Sequence, residues 1–506
     1  MINIIFQLLN NLFPSQSSQS RWWVFSLRGI ILFLRGGIQL KKWLLLSAIL
    51  TSGLLLGACQ SKEVATFTST KEMTNIVDNN GADPFVCYEN GMYYYTKTTG
   101  DSVVLWRSKD LETVFTGEEK TIFKMPKELE SIWAPELHYL NGQWVVYFAA
   151  NRSKETHRMY ALTNSSKDPY KGEWQLTLVK GMDDKFAIDG TVLTVKKQHY
   201  FIWSGWPGYE NVTQNLYISP MISPTEVQKQ KIELSHPEYE WEMRQKPLIN
   251  EGPQVTIKKN TIHLIYSASG SWDNDYCLGE LTAKVDADLL NPKSWHKANQ
   301  PILKSNAEVY GPGHHSIVPS KDGKEDWIIY HTARWDHSGW NRLIRMNQVH
   351  WQADQIKLSS PTVDDKRIKR PSPQQLSRFV LAATQAQKTK GLSQIKDDYA
   401  LNHQVITGFE DPEDKLTFTF KTPKSANYTL IAYVKTENYE DPENILEGKF
   451  TVNQEEKIAK IYPSQYYQPV QVKVKLQKGT QTIQFQSNIG VDTLSVDRME
   501  IIEHKG

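Results

Sequence analysis

The feature that most limits what this chain can fold into is a five-fold repeat. Between residues 75 and 355 one pattern recurs: a small or turn residue, a polar residue, a β-type run, a turn, and a strand ending in aromatics. The copies read GADPFVCYENGMYYYT, WAPELHYLNGQWVVYFAA, AIDGTVLTVKKQHYFIWSG, NEGPQVTIKKNTIHLIYSAS and GPGHHSIVPSKDGKEDWIIYHTA. Their polar heads are Asp83, Glu136, Asp189, Glu251 and His314, spaced 53, 53, 62 and 63 residues apart. Asn90-Gly91 and Asn141-Gly142 are hairpin signals, because a two-residue turn that matches strand twist needs positive φ at both positions. The other copies turn through Lys, Asp and Gly.

A four-stranded unit recurring every 50 to 60 residues or so is the signature of a β-propeller blade. Five copies predict five blades and an all-β fold. The innermost strand of each blade runs along the central axis, so all five heads are expected at one end of it. Glu251, wedged before Gly252 and Pro253, then has a reason to be there: it is one of five polar groups delivered to a common pocket.

The stretch NRLIRMNQVHWQADQIKLSSP reads as the closing strands of the propeller. Residues 356–390 are rich in Lys, Gln and Pro and read as a connector. From 391 to 506, segments such as YTLIAYVKTEN and QPVQVKVKLQKGTQTIQFQS alternate apolar and polar, which predicts a second, all-β sandwich domain of jelly-roll type.

The 506 residues suffice for more than one buried core. Basic and acidic residues number 58 and 56, so nothing in the charge balance points to nucleic acid. Aromatics are abundant, with 16 Trp, 23 Tyr and 17 Phe. They either fill a large β-rich core or present flat faces on which sugars stack.

Cys59, Cys87 and Cys277 are too few for a disulfide framework or a cysteine-rich zinc site. Cys59 is special because KKWLLLSAILTSGLLLGACQSK places two lysines, a 16-residue mostly apolar run and Leu56-Gly57-Ala58 before it. That is the layout of a secretory signal, and its end resembles a bacterial lipobox. The resemblance implies lipidation at Cys59, secretion, and anchoring to the membrane by lipid alone with the protein on the extracellular face. Residues 1–59 are accordingly an N-terminal extension plus signal, with 1–39 expected to be translated upstream sequence and the start near Leu40.

Three heads are suited to acid–base work. Glycosidic cleavage needs a protonated acid beneath the leaving oxygen and a carboxylate to activate water or to attack carbon. Burial and neighbouring charge can hold one carboxyl protonated while another stays ionised. One Asp-Gly or Glu-Gly-Pro would be turn chemistry; three at repeat heads point to a site.

The ordered motifs GADPFV, SIWAPELH, AIDGTVL, NEGPQV and GPGHHS resemble family 43 of the glycoside hydrolases over roughly residues 75–355. The resemblance implies a five-bladed propeller hydrolysing arabinofuranosides or β-xylosides with inversion. Asp83 would be the general base, Glu251 the general acid, and Asp189 the group that tunes and orients the acid. His314 matches the family's central histidine, beside which several members bind calcium directly or through waters; with His315 it is otherwise a hydrogen-bonded pair at a strand start. Arg345 matches an arginine that faces the pocket. Trp133 and Trp206 would contact sugar, though either is also a reasonable core residue. Glu136 is expected at the matching head of the second copy in a structural or substrate-positioning role.

The stretches IWSGWPGYENVTQNLYISPM and IYSASGSWDNDYCLGEL look most like the exo-acting α-L-arabinofuranosidase branch, with arabinose- or xylose-containing plant polysaccharide as substrate. The C-terminal domain resembles carbohydrate-binding modules of families 6 and 35, which implies Asp497 as a ligand of a structural calcium; no cofactor is required for the reaction. Tyr462, Tyr466 and Tyr467 are its candidate binding aromatics, or edge residues without function. The alternatives are a β-xylosidase of the same family and a non-catalytic glycan-binding lipoprotein. Retaining fructan hydrolases are a more distant rival, since their Asn-Asp-Pro-Asn-Gly type head is missing from GADPFV.

Overall fold

The computed structural model describes residues 22–27, 30–35, 71–153, 155–362, 367–373, 378–401, 403–487 and 494–504. Cys59 and the signal around it lie outside these residues. The chain divides into two compact units, Met1–Glu63 and Val64–Gly506. In the first, strands Trp22–Leu27 and Ile30–Arg35 pair antiparallel. Among the described residues, no helix is long and apolar enough to cross a membrane.

The second unit opens with five successive antiparallel meanders. Their first strands are Ala82–Glu89, Glu130–Leu140, Ala187–Val195, Leu248–Lys258 and Gly313–Pro319. Each of these strands neighbours the next, and the fifth neighbours the first, so the meanders close into a ring. The Asn-Gly turns form as expected: Asn90 and Gly91 have φ of 52° and 79°, Asn141 and Gly142 of 51° and 84°. Lys196 and Lys197 adopt the same geometry at 50° and 70° without either favoured residue.

Strands within the ring are buried on both faces, which is why they read as continuous apolar runs. In Gln143–Asn151, Trp144, Val146 and Phe148 pack toward the first meander with Phe85 and Leu105. Val145, Tyr147 and Ala149, on the opposite face, pack toward the third with Phe201 and Trp203. Leu193 and Ile202 join Leu264 and Tyr266 between the third and fourth meanders. Ile265 and Leu278 join Ile328 and Tyr330 between the fourth and fifth. Val86 and Tyr95 join Trp327 and Ile344 to close the circle.

The expected closing strands are only part of the closure. Arg342–Gln352 is the third strand of the fifth meander, and its outer partner is the N-terminal strand Ile76–Asp78. Gln355–Lys357 merely folds back on the far end of Arg342–Gln352. The first and last repeats are thus pinned together by strand pairing.

The C-terminal sandwich has two sheets. One contains Ser393–Lys396, Gln404–Thr407, Leu494–Glu503, Ala426–Thr436 and Gln468–Leu476, with Arg378–Ala382 also on Leu494–Glu503. The other contains Gln387–Lys388, Lys415–Thr422, Gly479–Ser487, Leu446–Val452 and Glu455–Ile461. Phe379, Phe418, Leu430, Phe450, Phe485 and Ile501 fill the space between them. Strand Arg378–Ala382 belongs to the sandwich, so the domain starts ahead of residue 391. Part of the connector is ordered as well, with Ile368–Lys369 paired to Glu72–Met73.

The sandwich is packed on the ring through buried polar groups. Glu112, between strands of the first meander, binds both Arg370 and Arg378, and Arg378 reaches Glu500 of the sandwich at 3.1 Å. Arg334 of the fifth meander donates to Pro463 O and to Gln468 Oε1, both at 3.3 Å. Tyr466 packs with Ile76 and Leu343 of the ring.

Candidate active site

Each meander enters the ring through the same backbone irregularity. In the first strands, Ala82, Trp133, Ile188, Glu251 and Gly313 pair normally with their second strands, and pairing resumes one register later at Phe85, Glu136, Thr191, Gln254 and His315. Between them lies a β-bulge. One residue in each bulge has positive φ: Asp83 at 55°, Ala134 at 44°, Asp189 at 56°, Gly252 at 54° and His314 at 40°. Such a conformation is strained for a residue with a side chain and persists only where the surroundings enforce it. At Gly252 a Cβ would meet His314 Nδ1 at 3.1 Å and Ser267 Oγ at 3.2 Å. The glycine after Glu251 is therefore a packing requirement.

The bulges are cross-linked around the ring. Asp83 N–H donates to His331 Nδ1 of the fifth meander at 3.1 Å. Ala134 N–H donates to Thr98 Oγ1 of the first at 2.8 Å. Gly252 N–H donates to Asp189 Oδ2 of the third at 2.9 Å, and His314 N–H to Ser267 Oγ of the fourth at 2.8 Å. Four of the five bulges, those at Asp83, Ala134, Gly252 and His314, are thus held by the meander before them.

This backbone delivers Asp83, Asp189, Glu251 and His314 to one place. Thr98 Oγ1 donates to Asp83 Oδ2 at 2.6 Å. His314 Nδ1 lies 3.4 Å from Asp83 Oδ1 and 3.9 Å from Asp189 Oδ2. Arg342 Nη1 lies 3.9 Å from Asp83 Oδ1. Tyr276 donates its hydroxyl to Glu251 Oε1 at 2.9 Å.

The electrostatics differ from acid to acid. Burial, reinforced by the Asp83 charge, pushes the Glu251 carboxyl up to about 7 against the pull of the Tyr276 hydroxyl and Arg342. Burial and the charges of Glu251 and Asp83 hold Asp189 well above the usual aspartate range, opposed by the Gly252 N–H. Burial with Arg342 and His314 nearby keeps His331 neutral. A carboxyl with a value near 7 can hold a proton at neutral pH and release it, the property of a general acid.

Glu136 is not at this level. It sits two residues past its bulge, in a deeper layer, where Gln254 Nε2 donates to it at 2.6 Å and to Thr191 Oγ1 at 3.0 Å. His138 Nε2 completes the contact at 3.0 Å. The second meander carries Ala134 at its bulge instead, and Trp133 occupies the register position that Glu251 has in the fourth.

Trp133, 38% exposed, stacks on His157 at 3.6 Å between centroids. Burial lowers His157 to about 4, so the ring is neutral at neutral pH. His157 abuts Phe186, which stacks on Trp206 at 4.4 Å. The two tryptophans are therefore the ends of one aromatic wall built by the second and third meanders.

A sequence profile described as glycosyl hydrolases family 43 matches residues 73–356. This chain belongs to that family. It is 35% identical over 298 residues to an extracellular exo-α-(1→5)-L-arabinofuranosidase of Streptomyces avermitilis, covering 56% of this chain and 62% of that protein. To the protein of the same description from Streptomyces chartreusis it is 36% identical over 266 residues, covering 50% and 80%. The chain thus spans less than two thirds of the first relative's length. Among solved structures, an α-L-arabinofuranosidase from Lactobacillus brevis superimposes with a TM-score of 0.54 at 32% identity, over 57% of this chain and 97% of that one.

In this family-43 ring Arg345, expected to face the pocket, does not stand with the acids. It is fully buried, donating to Thr332 Oγ1 at 3.1 Å and to Asn75 Oδ1 at 3.0 Å, with Tyr466 of the sandwich 4.7 Å over its guanidinium. Arg342 on the same strand is the arginine beside Asp83 and Glu251. Residues three apart on a strand point to opposite faces.

The family-43 site also includes Thr98, Ser267, Tyr276 and His331, none of them anticipated. Thr98, Ser267 and His331 stand directly opposite the bulges near the ends of the second strands, so aligning those strand ends as well as the heads would have found them. Tyr276 arrives on a loop and carries no such signal. Among the described residues, no group of three or more His, Cys, Asp or Glu side chains is placed to hold a metal ion. His314 Nδ1 is turned toward the acids. Asp497 accepts from Leu401 N–H at 3.0 Å and from Arg498. Tyr462 lies by Arg334, Tyr466 is buried against the ring, and Tyr467 is buried with its hydroxyl on Asp397.

Proposed function

We propose that this family-43 protein is an inverting exo-glycosidase that removes terminal α-L-arabinofuranosyl residues from arabinan or arabinoxylan. The observation that carries the reading is Glu251: a buried carboxyl with a value near 7, in the electrostatic range of Asp83 at the open end of the ring. Glu251 donates its proton to the glycosidic oxygen as the bond to the anomeric carbon breaks. Asp83, aligned by Thr98, takes a proton from the water that attacks that carbon from the opposite face. Inversion leaves room for this water, with the two carboxyls roughly 6.5–9.5 Å apart. Asp189 positions Glu251 through the Gly252 peptide, and the two carboxyls reset by exchanging protons with solvent.

The names of the Streptomyces relatives support arabinofuranoside as substrate and an extracellular setting. The basic-apolar segment ending at Cys59 supports secretion with a lipid anchor at that residue. The deciding experiment is sugar release from debranched arabinan followed by proton NMR of the fresh hydrolysate. The β-anomer of arabinose should appear first. Initial α-anomer would mean retention, and the roles of Asp83 and Glu251 would fall together.

A further inference from the structure

The sandwich is fastened to the ring, and the seam is not closed along its whole length. A groove of about 240 Å³ runs between ring residues Ala307–Tyr310 and the sandwich. Ala307, Glu308 and Tyr310 line it from the ring; Tyr399, Lys435, Tyr439, Gln465 and Tyr466 line it from the sandwich. Four of these eight residues are tyrosines. Tyr399 is 50% exposed, a large apolar area to leave in water without use. Lys435, the cation of the sandwich wall, is already paired to Asp397.

The groove has a fixed relation to the acids. Tyr310 precedes His314 by four residues, along Gly311-Pro312-Gly313, so the two Cα atoms are within about 14 Å even at full extension. That segment leads into the fifth first strand at the end where its bulge lies. The floor is rigid, because the Tyr466 hydroxyl is fixed to Glu308 O and Gln465 Nε2 donates to that hydroxyl at 2.6 Å.

We infer that this tyrosine-lined seam is a second sugar-binding site, which holds a distal stretch of the neutral pentose polysaccharide whose end occupies the acid pocket. Flat aromatic faces with amide and hydroxyl groups between them suit the apolar and hydroxylated sides of a sugar chain. Pairing of Lys435 with Asp397 leaves the sandwich wall of the groove suited to an uncharged glycan. The identity of the ligand rests on the glycosidase reading above; the groove itself does not. In this arrangement the sandwich contributes to polymer binding by forming one wall of a groove whose other wall is the ring, and a free-standing module would lack it.

The test uses the full chain. Tyr399→Ala and Tyr439→Ala, singly and together, are compared with the unaltered protein by affinity electrophoresis in gels containing debranched arabinan or arabinoxylan. Turnover of 4-nitrophenyl α-L-arabinofuranoside is measured in parallel and reports on folding. Loss of one stacking ring should weaken retardation about three- to tenfold, with aryl-glycoside turnover unchanged. Equal retardation of all variants, or no retardation of the unaltered protein in either gel, overturns the inference. Retardation does not depend on hydrolysis. If the aryl glycoside is not cleaved and the variants still lose retardation, the groove stands and the proposed activity falls.

Discussion

The Gly252 N–H donates to Asp189 Oδ2 at 2.9 Å, so the aspartate grips the peptide that follows Glu251 and leaves the acid's own carboxyl to Tyr276. Asp189 thereby acts on Glu251 in two separable ways, by charge and by position. Asp189→Asn keeps an acceptor for the Gly252 N–H and removes the charge. It should lower kcat on arabino-oligosaccharides about tenfold to a hundredfold while leaving the fold intact by circular dichroism. Asp189→Ala removes both and should lose more, with KM affected as well.

Glu251→Gln cannot donate a proton. Substrates with poor leaving groups should lose about 10²–10⁴ in kcat, and 4-nitrophenyl arabinofuranoside should lose less because its leaving group needs less protonation. Asp83→Asn removes the base and should slow both substrate types alike. Equal losses for both substrates in Glu251→Gln would dismiss its role as acid.

The pH profile follows from the same residue. With Glu251 pushed up to about 7, kcat/KM should fall as pH rises through that value. The Tyr276 hydroxyl favours the charged form, so Tyr276→Phe should move this limb to higher pH. Stability has the matching sign. The folded-state value lies above the unfolded one, so the contribution is full below the ordinary glutamate range and is lost as pH rises through about 7. Glu251→Gln removes that loss, which amounts to something on the order of 3 kcal/mol, and should raise Tm at pH 8 relative to the parent.

Arg342 and Arg345 should separate cleanly. Arg342→Ala should cut kcat/KM and shift the alkaline limb upward, since Arg342 opposes the rise at Glu251. Arg345→Ala should cost about 2–4 kcal/mol in urea unfolding by leaving Asn75 and Thr332 without their buried partner. A stable, inactive Arg345→Ala would return that residue to the pocket.

Removing residues 378–506 should not give a clean catalytic ring. It strips Tyr466 from Ile76 and Leu343 and takes Arg378 from Glu112. The truncated protein should aggregate or lose several degrees in Tm, and aryl-glycoside turnover should fall with it. A fully active fragment ending at residue 377 would show that the sandwich is detachable.

The repeat, its hairpins and the arrival of Asp83, Asp189, Glu251 and His314 together were legible because each copy carries its own local signal. Register was not. Glu136 falls at the right spacing yet lies two residues past its bulge, and nothing in WAPELH marks where the extra residue is inserted. Arg345 was taken for Arg342 because strands buried on both faces have no apolar–polar alternation to say which side is which. The surroundings of the three tyrosines at 462, 466 and 467 were illegible for another reason. Arg334 meets Tyr462, Glu308 and Ile76 meet Tyr466, and Asp397 meets Tyr467, all far away in sequence, and no local pattern reports such contacts.

Pairing of Ile344 with Asp78 joins positions 266 residues apart, and it has a consequence in time. Asp83 is synthesised early, yet His331 and Arg342, which flank it, come from the last repeat. The ring cannot close until that repeat exists, and contacts of such long range form late because the intervening chain must first give up its freedom. Partial chains therefore carry the carboxylates without the chemistry. A ribosome-bound chain holds the acids apart from the groups that flank them, and the site is assembled only when the two ends of the ring meet.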